Sequence, residues 1–226
     1  MQLIDFKMGS KNSRREQLPH ILSSFYLLLL LLLLQIIKPG DGLHAASQDI
    51  LVLGASLTGN QTRISKGGIF EFGFFNLNNN NNVKDWYLGI WYAKPSQQTI
   101  LWVANVEQPL HNASSVLNLK EDGSLLLSYG SSTVWSSNGN RKKNYSAVIM
   151  DSGNLLVLSA ENTSEIIWQS FDHPGNTWLP GMKLSNLQGL SSWSSNWNPS
   201  PGPFSLQIDP NGADQFVMMW KNHTTY

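Results

Sequence analysis

The sequence predicts an all-β fold in which three short-stranded units share one axis. Tryptophan recurs at a fixed interval: Trp102, Trp135 and Trp168 lie thirty-three residues apart. Such a period marks a repeat, and repeats are settled before any other feature of the fold. Apolar runs of four to eight residues, bounded by Gly, Asn, Asp and Ser, stand where a helical repeat would show 3.6-residue periodicity. The composition agrees, with nine Trp, six Tyr and nine Phe among 226 residues and only 13% charged side chains.

Residues 1–46 read as an address. Lys7, Lys11, Arg14 and Arg15 form a positive leader, and an apolar run follows over 21–37 with leucine at every position from 27 to 34. Small residues at Ala45-Ala46-Ser47 suit signal-peptide cleavage. A retained signal-anchor is the alternative, although the run is short for a span and Gln35 breaks it. Either way the remainder lies outside the cytosol. Five sequons, at Asn60, Asn112, Asn144, Asn162 and Asn222, agree with a secreted glycoprotein.

Each unit carries a tryptophan strand: TILWVAN (99–105), STVWSSN (132–138) and EIIWQSF (165–171). Upstream of each is a glycine-marked turn opening an apolar strand: KGGIFEF (66–72), EDGSLLL (121–127) and DSGNLLVL (151–158). Asp122-Gly123 signals a hairpin and Asn138-Gly139 another tight turn. The first unit is lengthened by a polar insert over 76–85, expected to be a solvated loop. One unit of three or four short strands cannot bury its own apolar face, whereas three around an axis can. Trp102, Trp135 and Trp168 are thus expected in a shared core rather than as sugar-stacking platforms, and Trp91 is grouped with them. Trp86, Trp193 and Trp197, in polar company, are expected to be exposed.

Several functions are excluded or unsupported. Fifteen basic residues balance fifteen acidic ones, which argues against electrostatic nucleic-acid binding. The chain has no cysteine, hence no disulfide framework, thiolate metal site or cysteine nucleophile. His20, His44, His111, His173 and His223 show no metal-ligand spacing. No Gly-x-Ser-x-Gly elbow and no glycine-rich nucleotide loop occur, so neither hydrolase nor kinase chemistry is expected of this chain. His173 in FDHPG (171–175) reads as a turn residue, and Arg141-Lys142-Lys143 as a solvated hairpin end.

The stretches GGIFEFGFFN (67–76), YLGIWY (87–92), ILWVANVEQPL (100–110), AVIMDSGNLLVL (147–158) and WQSFDHPGNTWLPGMKL (168–184) resemble the bulb-type, mannose-binding-like lectin domain. They resemble above all the extracellular start of plant S-domain (G-type lectin) receptor-like serine/threonine kinases and S-locus glycoproteins. Ser192-Trp193-Ser194, PSPGPF (199–204) and IDPNG (208–212) extend the resemblance almost to the C-terminus. It implies a β-prism of three four-stranded antiparallel sheets with pseudo-threefold symmetry, followed by a second β-rich segment. The implied organisation is a signal peptide over 1–46, a lectin domain over 47–171 and the start of an S-locus-glycoprotein-like segment over 172–226. The family's kinase domain and membrane span would lie beyond Tyr226.

The family's mannose motif, Gln-x-Asp-x-Asn-x-Val-x-Tyr once per unit, implies sites that are degenerate here. On the middle unit it falls on Lys120, Asp122, Ser124, Leu126 and Ser128. On the third it falls on Met150, Ser152, Asn154, Leu156 and Leu158, and on the first on Ser65, Gly67, Ile69, Glu71 and Gly73. The residual carbohydrate-binding candidates are therefore Lys120, Asp122, Ser124 and Asn154, with hairpin-turn chemistry as the competing role for Asp122 and Asn154. Two functions remain open: an extracellular module reading glycans or glycoproteins at the cell surface, or an interaction module that dimerises with itself or related receptors and has lost the sugar. A secreted decoy of full-length relatives is a third. No cofactor, metal or nucleic-acid partner is implied.

Overall fold

The computed structural model describes residues 48–224 apart from 79–83, 95–97, 112–113, 140–143, 186–187, 210–211, 213–214 and 222. The signal-peptide expectation, the basic triplet at 141–143 and the sequons at Asn112 and Asn222 fall outside the described residues.

Three consecutive antiparallel meanders build the domain. The first is β4 (Phe70–Asn78), β5 (Lys84–Tyr92) and β6 (Ile100–Val103); the second is β7 (Val116–Leu119), β8 (Leu125–Tyr129) and β9 (Ser132–Ser136). The third is β10 (Tyr145–Ile149), β11 (Leu155–Ser159) and β12 (Ile166–Gln169). Each gains a fourth, edge strand from the segment ahead of them. The strand β1 (Ile50–Val52) joins the third sheet, β2 (Ser56–Thr58) the second and β3 (Thr62–Ile64) the first. Fifteen residues thereby strap all three sheets in reverse order, burying Leu51 and Leu57. Gly54 and Gly59, both at positive φ, make the two turns that this threading needs.

Alternation supplies the shared core, because successive strand residues point to opposite faces. Leu117, Leu119, Leu125 and Leu127 come from the second sheet, Ala147, Ile149, Leu155 and Val157 from the third, and Phe70, Phe72, Phe74, Leu88 and Ile90 from the first. Burying a side chain of this size stabilises by about 1.5–3 kcal/mol. Trp102, Trp135 and Trp168 meet edge to face, with ring centroids 6.0, 6.0 and 5.8 Å apart. Trp102 and Trp168 are buried and Trp135 half-buried. Trp91 points elsewhere, into a second cluster with Phe75, Tyr87 and Val103.

Two hairpin turns explain their glycines. Gly123 has φ +80° and Gly153 φ +83°. A Cβ on Gly123 would lie 2.9 Å from the Tyr145 ring, and one on Gly153 2.8 Å from Leu179 and 2.9 Å from Phe70. Five residues of the expected polar insert are strand, Asn76 to Asn78 extending β4 and Lys84 and Asp85 beginning β5, and 79–83 lie outside the described residues. Asn138-Gly139 does not close a hairpin, since β9 and β10 belong to different sheets.

After a single 3-10 turn at Ser170–Asp172, the chain forms a fourth antiparallel sheet. Its strands are β13 (Leu190–Ser195), β14 (Asn198–Ile208), β15 (Phe216–Trp220) and β16 (His223–Thr224).

Candidate functional site

Strand register fixes which outer positions of the three sheets are equivalent. Ile90 pairs with Trp102, Leu127 with Trp135 and Val157 with Trp168, and each ladder shifts at the next residue, Trp91, Ser128 and Leu158. A shared irregularity at a shared place aligns β5, β8 and β11. The motif positions on the middle and third units are therefore structurally equivalent to each other. Their equivalents on the first sheet are Asp85, Tyr87, Gly89 and Trp91, one strand later than Ser65, Gly67, Ile69, Glu71 and Gly73. Chain distance carries the same message: Asp85 precedes Trp102 by 17 residues, Asp122 precedes Trp135 by 13 and Ser152 precedes Trp168 by 16, against 35 for Gly67.

On the first sheet three of these positions, Tyr87, Gly89 and Trp91, are buried. Tyr87 and Trp91 are buried with Phe75 and Val103, and Trp193 of the fourth sheet packs over them. Phe75 stacks on Tyr87 at 5.8 Å and meets Trp91 at 6.0 Å. The Trp91 indole N–H donates to Glu71 Oε2 at 2.9 Å. Gly89 allows the sheet to close, since a Cβ there would lie 2.4 Å from the Trp102 carbonyl oxygen. Burial, aided by the negative charge of Asp85, pushes the Tyr87 phenol up to about 12. Trp193 is thus a covering residue rather than an exposed contact, and Trp86 packs against the main core. Trp197 is exposed.

On the second sheet the site is a hairpin turn beside open space. Asp122 Oδ1 accepts hydrogen bonds from Ser124 N at 2.9 Å and Ser124 Oγ at 2.6 Å. Those two bonds, side chain first, hold the Asp122 carboxyl below its ordinary value. The Lys120 N–H donates to the Ser124 carbonyl at 2.9 Å. Lys120 and Asp122 line a hollow of ≈ 540 Å³ with Asn118, Leu119 and Gly54. Lys120, Asp122 and Ser124 therefore come together, with Ser124 turned into the protein.

Asn154 belongs to the third sheet and is committed to the fold. Its Nδ2 donates to Gln169 Oε1 at 2.9 Å, and its Oδ1 accepts from Ser170 Oγ and from Phe171 N, both at 3.2 Å. The flanking outer residues Leu156 and Leu158 are apolar. Asn60, Asn144 and Asn162 are exposed, as glycan attachment requires. Among the described residues no group of three His, Asp or Glu side chains is placed to hold a metal ion.

One site was not foreseen. At the open end of the tryptophan trio, a cleft of ≈ 390 Å³ is lined by Trp102, Trp135, Trp168, Asn138 and His173. The His173 ring stacks on Trp168 at 5.4 Å with the planes 16° apart. In the sequence the only signal for it is the HPG turn five residues after Trp168, for which turn chemistry is a sufficient account.

Residues 99–197 match the family model described as D-mannose binding lectin. The chain carries a bulb-type lectin domain. A G-type lectin S-receptor-like serine/threonine-protein kinase of Arabidopsis thaliana is 38% identical over 184 residues, which cover 76% of this chain and 22% of that protein. An S-locus-specific glycoprotein of Brassica oleracea is 38% identical over 173 residues, covering 72% of this chain and 39% of that protein. The chain thus spans well under half the length of these two curated relatives. Among solved structures, a monomeric mannose-binding lectin from Gastrodia elata aligns with 54% of this chain and 96% of its own at 23% identity and a TM-score of 0.42.

Proposed function

We propose that this lectin domain is the glycan-reading part of an extracellular receptor segment whose three strand-face sites no longer take free mannose. Support for the receptor setting comes from relatives named as S-receptor-like kinases and S-locus glycoproteins. The organisation we infer is a signal peptide over 1–46, the lectin domain over 47–171 and a following S-locus-glycoprotein-like segment from 172. Glycans on Asn60, Asn112, Asn144, Asn162 and Asn222 complete that reading. Recognition, and no phosphoryl transfer, is the role assigned to this segment.

The observation that carries the loss of mannose binding is where the site groups spend their hydrogen bonds. Asn154 gives both ends of its amide to Gln169, Ser170 and Phe171, and Ser124 gives its hydroxyl to Asp122. Tyr87 and Trp91 are buried outright. Each sugar hydroxyl or protein group left unpaired costs about 1–3 kcal/mol. A millimolar complex is worth only about 4 kcal/mol, so losing three or four partners removes it. Titration calorimetry with methyl α-mannoside is expected to give no binding heat. Sub-millimolar binding that disappears in Asp122→Ala would overturn the proposal.

One observation favours a protein-interaction role instead. Cross-strand partners share a sheet face, so the pairs Phe204–Trp220, Leu206–Met218 and Ile208–Phe216 form one apolar face on the fourth sheet. Phe204, Phe216, Met218 and Trp220 are exposed there. Contiguous apolar surface of this kind marks interaction sites.

A further inference from the structure

We propose that the cleft at the open end of the tryptophan trio takes one pyranose residue of a glycan. This rests on the glycan-reading role above and gives that role a site outside the three strand faces.

The trio is not used evenly by the fold. Trp102 donates its indole N–H to the His173 carbonyl at 2.8 Å. The indole nitrogens of Trp135 and Trp168 have no acceptor among the described residues. Nor are they sealed, since the Ser115 hydroxyl is the one side-chain polar atom there that is both sealed and unpaired. Trp168 is only 8% exposed and lines the cleft. A nearly buried residue that lines an aromatic hollow thus keeps a spare donor.

The surroundings suit a sugar ring. His173 is exposed and stacks flat on Trp168, which widens the aromatic wall. Asn138 stands at the mouth in the left-handed region, φ +59°, with its backbone N–H bonded to Ser136 Oγ at 3.2 Å. Its side-chain amide has no partner among the described residues. The hollow of ≈ 390 Å³ lies at the small end of the range for ligand pockets, about 300–1,000 Å³. A pyranose has an apolar face of axial C–H bonds that packs on the electron-rich face of an aromatic ring. Its hydroxyl edge can meet two indole donors and an amide. A wholly apolar ligand would bury those donors unpaired, which is unfavourable.

The test follows the indole and backbone N–H resonances of the chain expressed through a secretory route with uniform nitrogen-isotope labelling. Four probes are titrated: methyl α-mannoside, methyl β-glucoside, methyl β-galactoside and methyl β-N-acetylglucosaminide. At least one should shift the Trp135 and Trp168 signals saturably. His173→Ala should weaken that response roughly tenfold. The His173 variant keeps the backbone carbonyl that holds Trp102, so the trio stays assembled. Indole signals unmoved by all four probes, or a response untouched by His173→Ala, would overturn the cleft. Shifts confined to the amides of 122–124 or 152–154 would overturn it while leaving glycan reading intact. Silence of every resonance, joined by silence on an array of whole glycans, would remove both.

Discussion

The first and second sheets have the same topology and opposite outer faces. Asp85, Tyr87, Gly89 and Trp91 on the first occupy the places of Asp122, Ser124, Leu126 and Ser128 on the second. Inward, both sheets present large apolar residues to one core. Outward, the first is an apolar surface capped by Trp193, and the second is a polar turn beside a solvent hollow. Threefold packing constrains only the inner face, because each sheet must bury that face against the other two. The outer face is free to become a docking surface or a polar surface as the sequence changes. The proposed loss of the strand-face sites would therefore have two physical forms in one domain, coverage by apolar residues and internal consumption of the polar groups.

The largest expected effect breaks this contrast at one pair of equivalent positions. Trp91→Ala empties a buried site and leaves Glu71 without its indole donor, so unfolding stability should fall by about 3–5 kcal/mol. Ser128→Ala, on a half-exposed face, should change it by less than about 0.5 kcal/mol. Denaturant titration of the two variants measures both. Equal losses would mean that the outer faces are energetically alike.

A second contrast is visible in alkali. The Tyr87 phenol, pushed up to about 12, holds its proton more tightly when folded than when unfolded. Its contribution is complete below pH 10 and is lost as pH rises toward 12. At about 1.4 kcal/mol per pKa unit, roughly 2 kcal/mol should disappear over that window. Tyr87→Phe should flatten this limb of the stability profile. Ser124 holds the same place on the second sheet and has no proton to lose there.

How far these features could be read beforehand depended on the length of the local signal. The tryptophan period and the Asp122-Gly123 turn were visible because each is a local pattern that packing then uses. The N-terminal straps were not visible. Ile50–Val52, Ser56–Thr58 and Thr62–Ile64 are three residues each, too short to display alternation, and Ser56 pairs with Asn118 sixty-two residues away. The equivalent positions on the first sheet were not legible because the polar insert lengthened the β4–β5 hairpin, and the sequence offered Gly67-Gly68 as a nearer-looking turn. The internal hydrogen bonds of Asn154 and Ser124 were not legible either, because sequence names a polar group without saying what it already bonds.

Acid separates the turn chemistry of the second sheet from any ligand role. The Asp122 carboxyl is held below its ordinary value by Ser124. Its stabilising bonds are present at neutral pH and are lost as pH falls below about 4 and the carboxylate gains its proton. The side chain is exposed, so two solvent-screened hydrogen bonds should contribute only about 1 kcal/mol. Asp122→Ala should lose that amount at pH 7 and show a flatter acid limb. A loss of several kcal/mol would place Asp122 in the core.

The smallest change in stability should accompany a gain in binding. Lys120→Gln, Ser124→Asn, Leu126→Val and Ser128→Tyr together rebuild the family's motif around Asp122 on the open second sheet. Three of these positions are exposed or half-exposed and one is buried beside a turn, so the summed change in stability should stay within about 1 kcal/mol. Methyl α-mannoside should then bind with at least millimolar affinity, about 4 kcal/mol, where the parent chain gives none. Equivalent changes around Asp85 should fail, because Phe75, Val103 and Trp193 already occupy the face above it. The informative risk lies at position 124. Ser137 Oγ accepts from Leu125 N at 2.9 Å, as Ser170 Oγ accepts from Leu155 N beside Asn154. An asparagine introduced at 124 has the same inward partner that helps to hold Asn154. Calorimetry without heat in a variant of unchanged stability would therefore mean that this amide has folded inward. Binding would mean that residue identity alone, and not backbone geometry, separates the second sheet from a working mannose site.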